Sequence, residues 1–344
     1  MAIAGETAGT AAQSPGALEK LVARLAGTGR RIGAWLRDLP ARSALRICNH
    51  GVVRPLLGRR HRRALADNRA HLPFLARKDS EIVAGLERDG VFVTTLGALG
   101  LTGSDEITRI AAALGGAFAP EAHARLSKGQ AFLYVPPETV AAHPLLFSWG
   151  LQDRLLDIAE AYIGLPAAYD GVCINYTVAD GREVSTRRWH RDWEDRKMLK
   201  VAIYLHDVDG NNGPFELISR KDSTQSDADG FVYGLADNED LERRFGANFA
   251  KDVISCEGPA GTVIFVDTAR FFHRGKPATH GDRIALFYSY FSHRPRHPFL
   301  CERTGMPRRE IARLSASLSP RQRSAALWRR KLPTILRLVP PARL

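Results

Sequence analysis

Apolar residues recur at helical spacing near the start of the chain and again near its end. Close to the start this spacing is carried by Leu18, Leu21, Val22, Leu25, Ile32, Trp35, Leu36 and Leu39. Together with the positions of glycine and proline, the pattern predicts helices over 17–39, 41–57, 60–70, 307–317 and 320–331. Both ends of the chain are therefore expected to be helical.

The middle of the chain changes from helical to strand-like patterns. Apolar residues at helical spacing predict helices over 79–88, 105–114 and 151–163. Short apolar runs between turn residues then predict strands over 91–94, 171–178, 199–206, 214–218, 261–266 and 283–291. Helices first and strands later are typical of an α+β fold, here with a β-sandwich or barrel at its centre.

The composition is that of a globular protein and excludes several classes. Of the 344 residues, 44% are hydrophobic and 25% are charged, which excludes wholesale disorder. No run of eighteen apolar residues predicts a transmembrane helix, and the start of the chain lacks a secretory pattern. The four cysteines form no CxxC pair, which argues against a zinc knuckle or a disulfide framework and predicts a cytoplasmic protein.

The net charge of +12 is divided unevenly along the chain. Residues 1–78 carry a net charge of +11 and residues 301–344 carry +9, whereas residues 79–300 carry −8. This division predicts a basic, helical N-terminal extension (1–78), an acidic central domain (79–300) and a basic, helical C-terminal extension (301–344). The basic character therefore belongs to the ends and not to the central domain.

A histidine and a carboxylate stand two residues apart in the central domain, at His190 and Asp192. On an extended strand such residues project to the same face, so both can reach one metal ion. A histidine, a carboxylate and a second histidine from elsewhere form the facial triad of non-haem Fe(II) oxygenases. Taken alone, the pair is a weak signal, because short pairs of this kind arise by chance.

A second set of residues strengthens the signal further along the chain. A predicted strand ending near Asp267 is followed by His273, and Arg283 opens the next strand ten residues later. A strand, a turn and a returning strand would bring Arg283 beside His273. A buried arginine needs an anionic partner, and the carboxylate of a bound co-substrate matches its planar fork. The alternative interpretation is that His273 packs in the core and Arg283 forms an internal salt bridge.

With these residues in order, the central domain resembles the phytanoyl-CoA dioxygenase family of Fe(II)/2-oxoglutarate-dependent oxygenases. The resemblance covers roughly residues 79–295 and rests on three stretches: LERDGVFV, WHRDWEDRKMLKVAIYLHDVDGNNGPFELI, and GPAGTVIFVDTARFFHRGKP followed by DRIALFYSYF. It implies a double-stranded β-helix (jelly-roll, cupin-like) core with flanking N- and C-terminal helices. It also implies that His190, Asp192 and His273 bind Fe(II), that Arg283 binds the distal carboxylate of 2-oxoglutarate, and that Asn175 contacts this co-substrate.

The resemblance further implies a reaction with 2-oxoglutarate and O2 that releases succinate and CO2 and hydroxylates a small or lipid-like substrate. Asp192 favours oxygenation, because related halogenating enzymes have a small residue at that position. Two positions depart from the family: Gly275 stands where relatives often have a hydroxyl residue, and the loop after the central turn reads Ile218-Ser219-Arg220-Lys221. The same iron chemistry with desaturation, ring closure or epimerisation, and a non-catalytic scaffold with basic ends, stay open as alternatives.

Several other residues allow both a functional and a structural interpretation. Trp189 and Trp193 either line a pocket beside the metal pair or pack in the core. Lys200 either binds a substrate anion or is solvated, and the solvated interpretation is favoured. The segment 220–250 is expected to be an insert or lid between strands. The remaining histidines considered are expected at the surface or in loops: His206, His280, His293 and His297.

Two interpretations of the basic ends are retained. The simpler one is that their helices pack around the central domain with arginine-rich outer faces. The second is peripheral contact with an anionic membrane surface, because cationic helix faces opposite leucine and tryptophan suit an interface. Nucleic-acid binding is not expected, since no binding motif accompanies the charge. The pattern indicates no particular oligomeric state.

Overall fold

The computed structural model describes residues 37–128, 130, 133–220 and 234–342. Two antiparallel sheets face each other at its centre. The larger sheet has the strand order β1-β6-β3-β8-β2, and the smaller sheet has the order β5-β4-β7. The strands are β1 (Val91–Thr95), β2 (Ala167–Thr177), β3 (Leu199–Tyr204), β4 (Phe215–Ile218), β5 (Val253–Cys256), β6 (Thr262–Val266), β7 (His273–Gly275) and β8 (Arg283–Ser292).

Helices surround this pair of sheets. Residues 37–49 are helical and are called α1. The other helices are α2 (Val53–Asn68), α3 (Arg77–Asp89), α4 (Leu96–Leu99), α5 (Ser104–Ser127), α6 (Pro137–Ala141), α7 (Pro144–Trp149), α8 (Asp153–Ile163), α9 (Asn238–Phe245), α10 (Arg308–Leu314), α11 (Pro320–Ala326) and α12 (Thr334–Leu338). None of the helices within the described ranges is long and apolar enough to span a membrane.

The outer face of the larger sheet packs against the helices and forms the main hydrophobic core. Leu286, Tyr288 and Tyr290 project from alternate positions of β8 into one cluster with Phe147 and Trp149 of α7. The hydroxyl of Tyr290 donates a hydrogen bond to the carbonyl of Gly150 over 2.6 Å. Because alternate residues of a strand face opposite sides, the remaining positions of β8 point toward the smaller sheet.

The inner face of the larger sheet meets the smaller sheet through a second apolar cluster. Ala202 and Tyr204 of β3 pack there with Phe215 and Leu217 of β4. The strand register places a set of polar residues on the same inner face: Asn175, Thr177, Lys200 and Arg283. The space between the sheets therefore has an apolar part and a polar part, and the polar part contains these four residues.

The predicted α+β arrangement is confirmed, and the strands lie where the pattern placed them. The two unpredicted strands, β5 and β7, are four and three residues long. A three-residue strand of sequence His-Arg-Gly has no apolar alternation to detect, and it forms because it pairs with β4. The double-stranded β-helix implied by the family resemblance is consistent with the two facing sheets.

Two helix boundaries differ from the prediction because of glycine. The break near the N-terminal end falls around Gly51, which lies in open space, and not at Gly58, which is buried within α2. Helix α5 continues through Gly115 to Ser127, whereas the prediction ended it at residue 114. A Cβ atom at Gly115 would lie 2.5 Å from the Ile284 side chain, so this glycine allows α5 to approach β8 closely.

The C-terminal extension packs against the central domain. Trp328 is 3% exposed and meets Phe291 of β8 edge to face, with 5.0 Å between ring centroids. The neighbouring Leu332 is also buried in this cluster. Trp328 is one of the apolar residues that suggested membrane contact at this end, and it is buried in the protein instead. Residues 1–36, with Leu18, Leu21, Leu25, Trp35 and Leu36, lie outside the described residues, as does 221–233 of the expected lid.

We expect Trp328→Ala to lower the free energy of unfolding by about 3–5 kcal/mol, because it removes a large buried ring and leaves a cavity. Ile335→Ala is the matched control, since Ile335 is 74% exposed, and it should leave stability nearly unchanged. Denaturant unfolding followed by circular dichroism measures both variants. Equal stabilities of the two variants would show that the C-terminal extension is not part of the folded core.

Candidate metal centre

The backbones of His190 and His273 pair with each other and bring their side chains together. His190 N–H donates to the His273 carbonyl over 3.0 Å, and His273 N–H donates to the His190 carbonyl over 2.9 Å. This isolated antiparallel bridge adds the segment around His190 to the edge of the smaller sheet beside β7. The two imidazole rings consequently lie 4.3 Å apart, measured between their centroids.

Asp192 joins the two histidines through its own backbone contact. Its N–H donates to the carbonyl of Thr268 over 2.7 Å, which holds the residue beside the end of β6. The Oδ2 atom of Asp192 lies 3.9 Å from Nε2 of His273. One ligand atom from each of His190, Asp192 and His273 lies within 4.8 Å of the others, a grouping that could hold a metal ion.

Hydrogen bonds to the backbone orient both imidazole rings. Nδ1 of His190 lies 2.8 Å from the carbonyl of Arg188, and Nδ1 of His273 lies 3.2 Å from the carbonyl of Phe271. A carbonyl only accepts, so each Nδ1 carries the proton and each Nε2 keeps a lone pair. Histidines that bind metals are commonly oriented in this way.

The charge states of the three residues suit a metal cation. Burial lowers the pKa of His190, and burial together with His190 lowers the pKa of His273 well below its usual range, so both rings are neutral. Burial opposes ionisation of Asp192, but Lys200 and then the two histidines hold the pKa of its carboxyl group well below its usual value. Two neutral imidazoles and one carboxylate are the protonation states that metal binding requires.

Lys200 forms an ion pair inside the site, so the favoured interpretation of a solvated lysine is wrong. Its Nζ donates to Asp192 Oδ2 over 2.6 Å, and its side chain is 23% exposed. The two residues meet because Lys200 pairs with Val266 of β6, and Asp192 is bound to Thr268 two residues beyond that position. This ion pair depends on the register between β3 and β6, which the sequence pattern does not reveal.

Arg283 is buried near the metal-ligand cluster without an acidic partner. Its guanidinium donates to the carbonyl of Gly213 and, over 3.1 Å, to Oγ1 of Thr177. Its Nε is buried and has no hydrogen-bond partner, and no carboxylate of the described residues forms an ion pair with it. The alternative interpretation of Arg283, an internal salt bridge, therefore does not hold for the part of the chain that the structure describes.

The glycine that departs from the family pattern lies against this guanidinium. A Cβ atom at Gly275 would lie 3.0 Å from Nη2 of Arg283, so a side chain there would crowd the arginine. Thr177, opposite Arg283 in the pairing of β2 with β8, supplies a hydroxyl group at the same guanidinium. Position 275, on the smaller sheet, therefore offers no hydroxyl to Arg283, but Thr177 of the larger sheet does.

Asn175 is linked to Arg283 through Thr177. The hydroxyl of Thr177 donates to Oδ1 of Asn175 over 3.2 Å while it accepts from Arg283. The amide nitrogen of Asn175 donates to the carbonyl of Leu133 at 3.5 Å. The structure therefore brings Asn175 into the polar group around Arg283, and the contacts described do not join it to the three metal-ligand candidates.

The two tryptophans beside the candidate ligands pack in apolar clusters. Trp189 shares one with Ile218 and Phe272, and its indole N–H donates to Asn238 Oδ1 over 2.8 Å. Trp193 shares another with Phe299 near the C-terminal extension. Core packing thus describes both residues better than a pocket wall.

Histidines outside the triad do not all lie at the surface. His297 lies in a loop, as one form of the expectation had it, but it is fully buried and not at the surface, and burial lowers its pKa to about 3. Its Nδ1 contacts the carbonyl of Trp193 over 2.5 Å. His280 is exposed as expected, and His206 accepts a hydrogen bond from the N–H of Ile284 over 2.9 Å.

Sequence reasoning missed two polar residues of the site, Thr177 and Glu194. Glu194 is buried, and burial followed by the nearby Asp192 raises the pKa of its carboxyl group to about 8. Its Oε2 accepts from the N–H of Trp193 over 2.9 Å, and its Oε1 lies 3.9 Å from Nε of Arg303. The period-two spacing Asn175–Thr177 and Asp192–Glu194 would have been the signal for both residues.

Comparison with known proteins finds no matching family model and no matching curated protein. Among solved structures, the chain is similar to EctD from S. alaskensis with bound Fe, at 21% identity, covering 69% of this chain and 86% of that chain with a TM-score of 0.44. It is also similar to HygX from Streptomyces hygroscopicus with nickel and 2-oxoglutarate bound (17% identity, 64% and 88% coverage, TM-score 0.39). A third is the non-heme alpha ketoglutarate dependent epimerase SnoN from nogalamycin biosynthesis (15% identity, 63% and 84% coverage, TM-score 0.38).

We expect His190→Ala and His273→Ala each to abolish retention of one Fe(II) per chain, because two side chains alone cannot hold the ion firmly. Metal content after anaerobic loading and desalting measures this directly. His280→Ala is the control, since His280 is exposed and its ring contacts the hydroxyl of Thr279, outside the metal-ligand cluster. Wild-type stoichiometry and affinity in the double variant of His190 and His273 would place the metal elsewhere.

Proposed function

We propose that this protein is an Fe(II)/2-oxoglutarate-dependent oxygenase similar to the phytanoyl-CoA dioxygenase family. The observation that carries the proposal is the grouping of His190, Asp192 and His273 beside Arg283, a buried cation that has no acidic partner among the described residues. A buried charge without a partner is costly, so its retention points to an anionic ligand. A non-catalytic scaffold would need neither feature.

The three candidate ligands fit Fe(II). Two imidazole nitrogens and one carboxylate oxygen on one side of the ion form the donor set of non-haem iron oxygenases and leave the other positions open. Fe(II) bound there would couple the oxidative decarboxylation of 2-oxoglutarate by O2, which gives succinate and CO2, to the oxidation of a substrate C–H bond. Hydroxylation is the proposed outcome, and desaturation and epimerisation would use the same residues.

Arg283 is the proposed partner of the distal carboxylate of 2-oxoglutarate. Its guanidinium lies against Gly275, which follows His273 by two residues on β7, or roughly 7 Å along a strand. Thr177 and Asn175 extend the polar group around it and would orient the same carboxylate. The distance between Arg283 and the metal-ligand candidates is therefore about the length of a short dicarboxylate.

The protein surroundings would keep water away from the reacting groups. Phe215 stacks on the ring of His273 at 5.5 Å between centroids, and both histidines are at most 4% exposed. The proposed core is a double-stranded β-helix within residues 79–300, with the small and large sheets as its two walls. The proposed substrate is a small molecule, and the four free cysteines fit the cytoplasm as its location.

We expect Arg283→Ala to weaken 2-oxoglutarate binding by about 2–5 kcal/mol while iron binding stays nearly intact, because one member of a buried charge pair is lost. Calorimetric titration of 2-oxoglutarate into Fe(II)-loaded, anaerobic protein measures the affinity. Arg243→Ala is the control, since Arg243 lies on the exposed helix α9 with its side chain 68% exposed. An unchanged affinity in Arg283→Ala would mean that the carboxylate is bound elsewhere.

We also propose peripheral contact with an anionic membrane surface as a second property of the basic ends. Helix α1 lies beside the end of the chain, because Ala41 and Leu45 share a cluster with Val339 and Ala342. Exposed apolar side chains occur on these neighbouring segments and on α2, among many arginines. They include Leu39, Ile47, Val52, Leu56, Ile335 and Leu338.

Each basic residue close to an anionic bilayer contributes about 1 kcal/mol of attraction, which salt screens. We therefore expect the protein to sediment with vesicles that contain anionic lipid at low salt, and less so at high salt. Replacing Ile335 and Leu338 by serine should weaken this binding. Equal recovery with neutral and anionic vesicles, or no sedimentation at low salt, would contradict membrane contact and leave the oxygenase proposal unaffected.

A further inference from the structure

The ammonium group of Lys200 has donors that no residue of the described ranges uses. An ammonium carries three N–H donors, and in the described residues its single hydrogen bond goes to Asp192 Oδ2 over 2.6 Å. The residue lies on the inner face of β3, which points into the space between the sheets. With 23% of its side chain exposed, Lys200 can present the two remaining donors to a ligand.

The nearby acidic residue does not use these donors. Glu194 lies close enough to Lys200 to act on it electrostatically, and so does the hydroxyl of Tyr134. The carboxyl group of Glu194 is directed to the N–H of Trp193 and toward Arg303, as described above. Lys200 is therefore a cation that is neutralised on one side by Asp192 and available on another.

Lys200 and Arg283 approach the metal-ligand cluster from two different directions. Lys200, on β3, lies beside the later part of β8, and Arg283 is the first residue of β8. Lys200 pairs across the sheet with Ser289, whereas Arg283 opens the same strand six residues earlier, or roughly 20 Å away along the backbone. Lys200 contacts Asp192 at one end, and Arg283 lies against Gly275 at the other. Both long side chains reach inward from these positions, so their charged groups are closer to each other than the backbones are. One cation thus stands on each side of the metal-ligand candidates, an arrangement that suits a short ligand with a carboxylate at each end.

We propose that Lys200 binds the carboxylate next to the keto group of the 2-oxo acid, at the end opposite Arg283. The inference rests on the proposed function, and it adds a second anchoring residue to that site. A charge-assisted hydrogen bond from Nζ would fix this carboxylate while Asp192 keeps an oxygen for the metal. In the competing explanation Lys200 only neutralises and orients Asp192.

Two probes separate the two ends of the ligand. 2-Oxoglutarate carries both carboxylates, whereas 2-oxobutyrate has the same keto-acid end and lacks the distal carboxylate. Both are titrated anaerobically into Fe(II)-loaded protein, and the visible charge-transfer absorption of the iron–2-oxo acid complex reports binding without turnover. Metal content and thermal unfolding of each variant are measured first.

We expect Lys200→Met to weaken both probes by a similar factor, about tenfold or more, as for the loss of a hydrogen bond to a charged group. Arg283→Ala should weaken 2-oxoglutarate strongly and leave 2-oxobutyrate nearly unchanged. Lys200→Arg, which keeps the charge, should recover part of the affinity. This pattern would assign one cation to each end of the co-substrate.

Other results would overturn the inference. If Lys200→Met retains iron and binds both probes like the wild type, Lys200 has no role in anion binding. If Lys200→Met loses iron, the residue acts through Asp192 and the competing explanation holds. The same conclusion follows if Lys200→Met unfolds and cannot be loaded, and Lys200→Arg binds neither probe. Failure of the wild-type, iron-loaded protein to bind either probe would instead contradict the proposed function itself.

Discussion

The paired backbones of His190 and His273 are the interaction on which the site depends. Two reciprocal hydrogen bonds fix a loop segment against the three-residue strand β7, and this attachment brings the two imidazole rings together. Asp192 reaches the cluster because it lies two residues beyond His190, and Arg283 reaches it because β7 brings Gly275 to its guanidinium. Loss of this pairing would separate the histidines even if every side chain remained.

Charge balance links the metal-ligand candidates to the rest of the inner face. Asp192 is neutralised by Lys200, whereas the partners of Arg283 within the described residues, Gly213, Thr177 and Tyr204, are neutral. The site therefore carries an ion pair at one end, in which the ammonium of Lys200 keeps further donors, and an uncompensated cation at the other. Such an arrangement is expected to attract anionic ligands, and it defines a direction along which a dicarboxylate would lie.

The sequence predicted the strands of the larger sheet that border the site, because β2, β3 and β8 are apolar runs with clear ends. It also predicted which residues could meet at a metal ion, since the spacing of His190 and Asp192 is a local property. It did not predict β7, which forms only through pairing with β4, nor the ion pair of Lys200, which depends on strand register. The burial of Trp328 was equally hidden, because an apolar stripe looks the same whether it faces protein or membrane.

The proposed function requires that iron bound at this site supports the conversion of 2-oxoglutarate into succinate. The most direct measurement is succinate release from 2-oxoglutarate by the Fe(II)-reconstituted protein in air, with the metal-free protein and the double variant of His190 and His273 as references. We expect succinate formation that requires Fe(II) and O2 and is absent from both references. No succinate from the iron-loaded wild type, with or without a panel of small-molecule and lipid substrates, would contradict it.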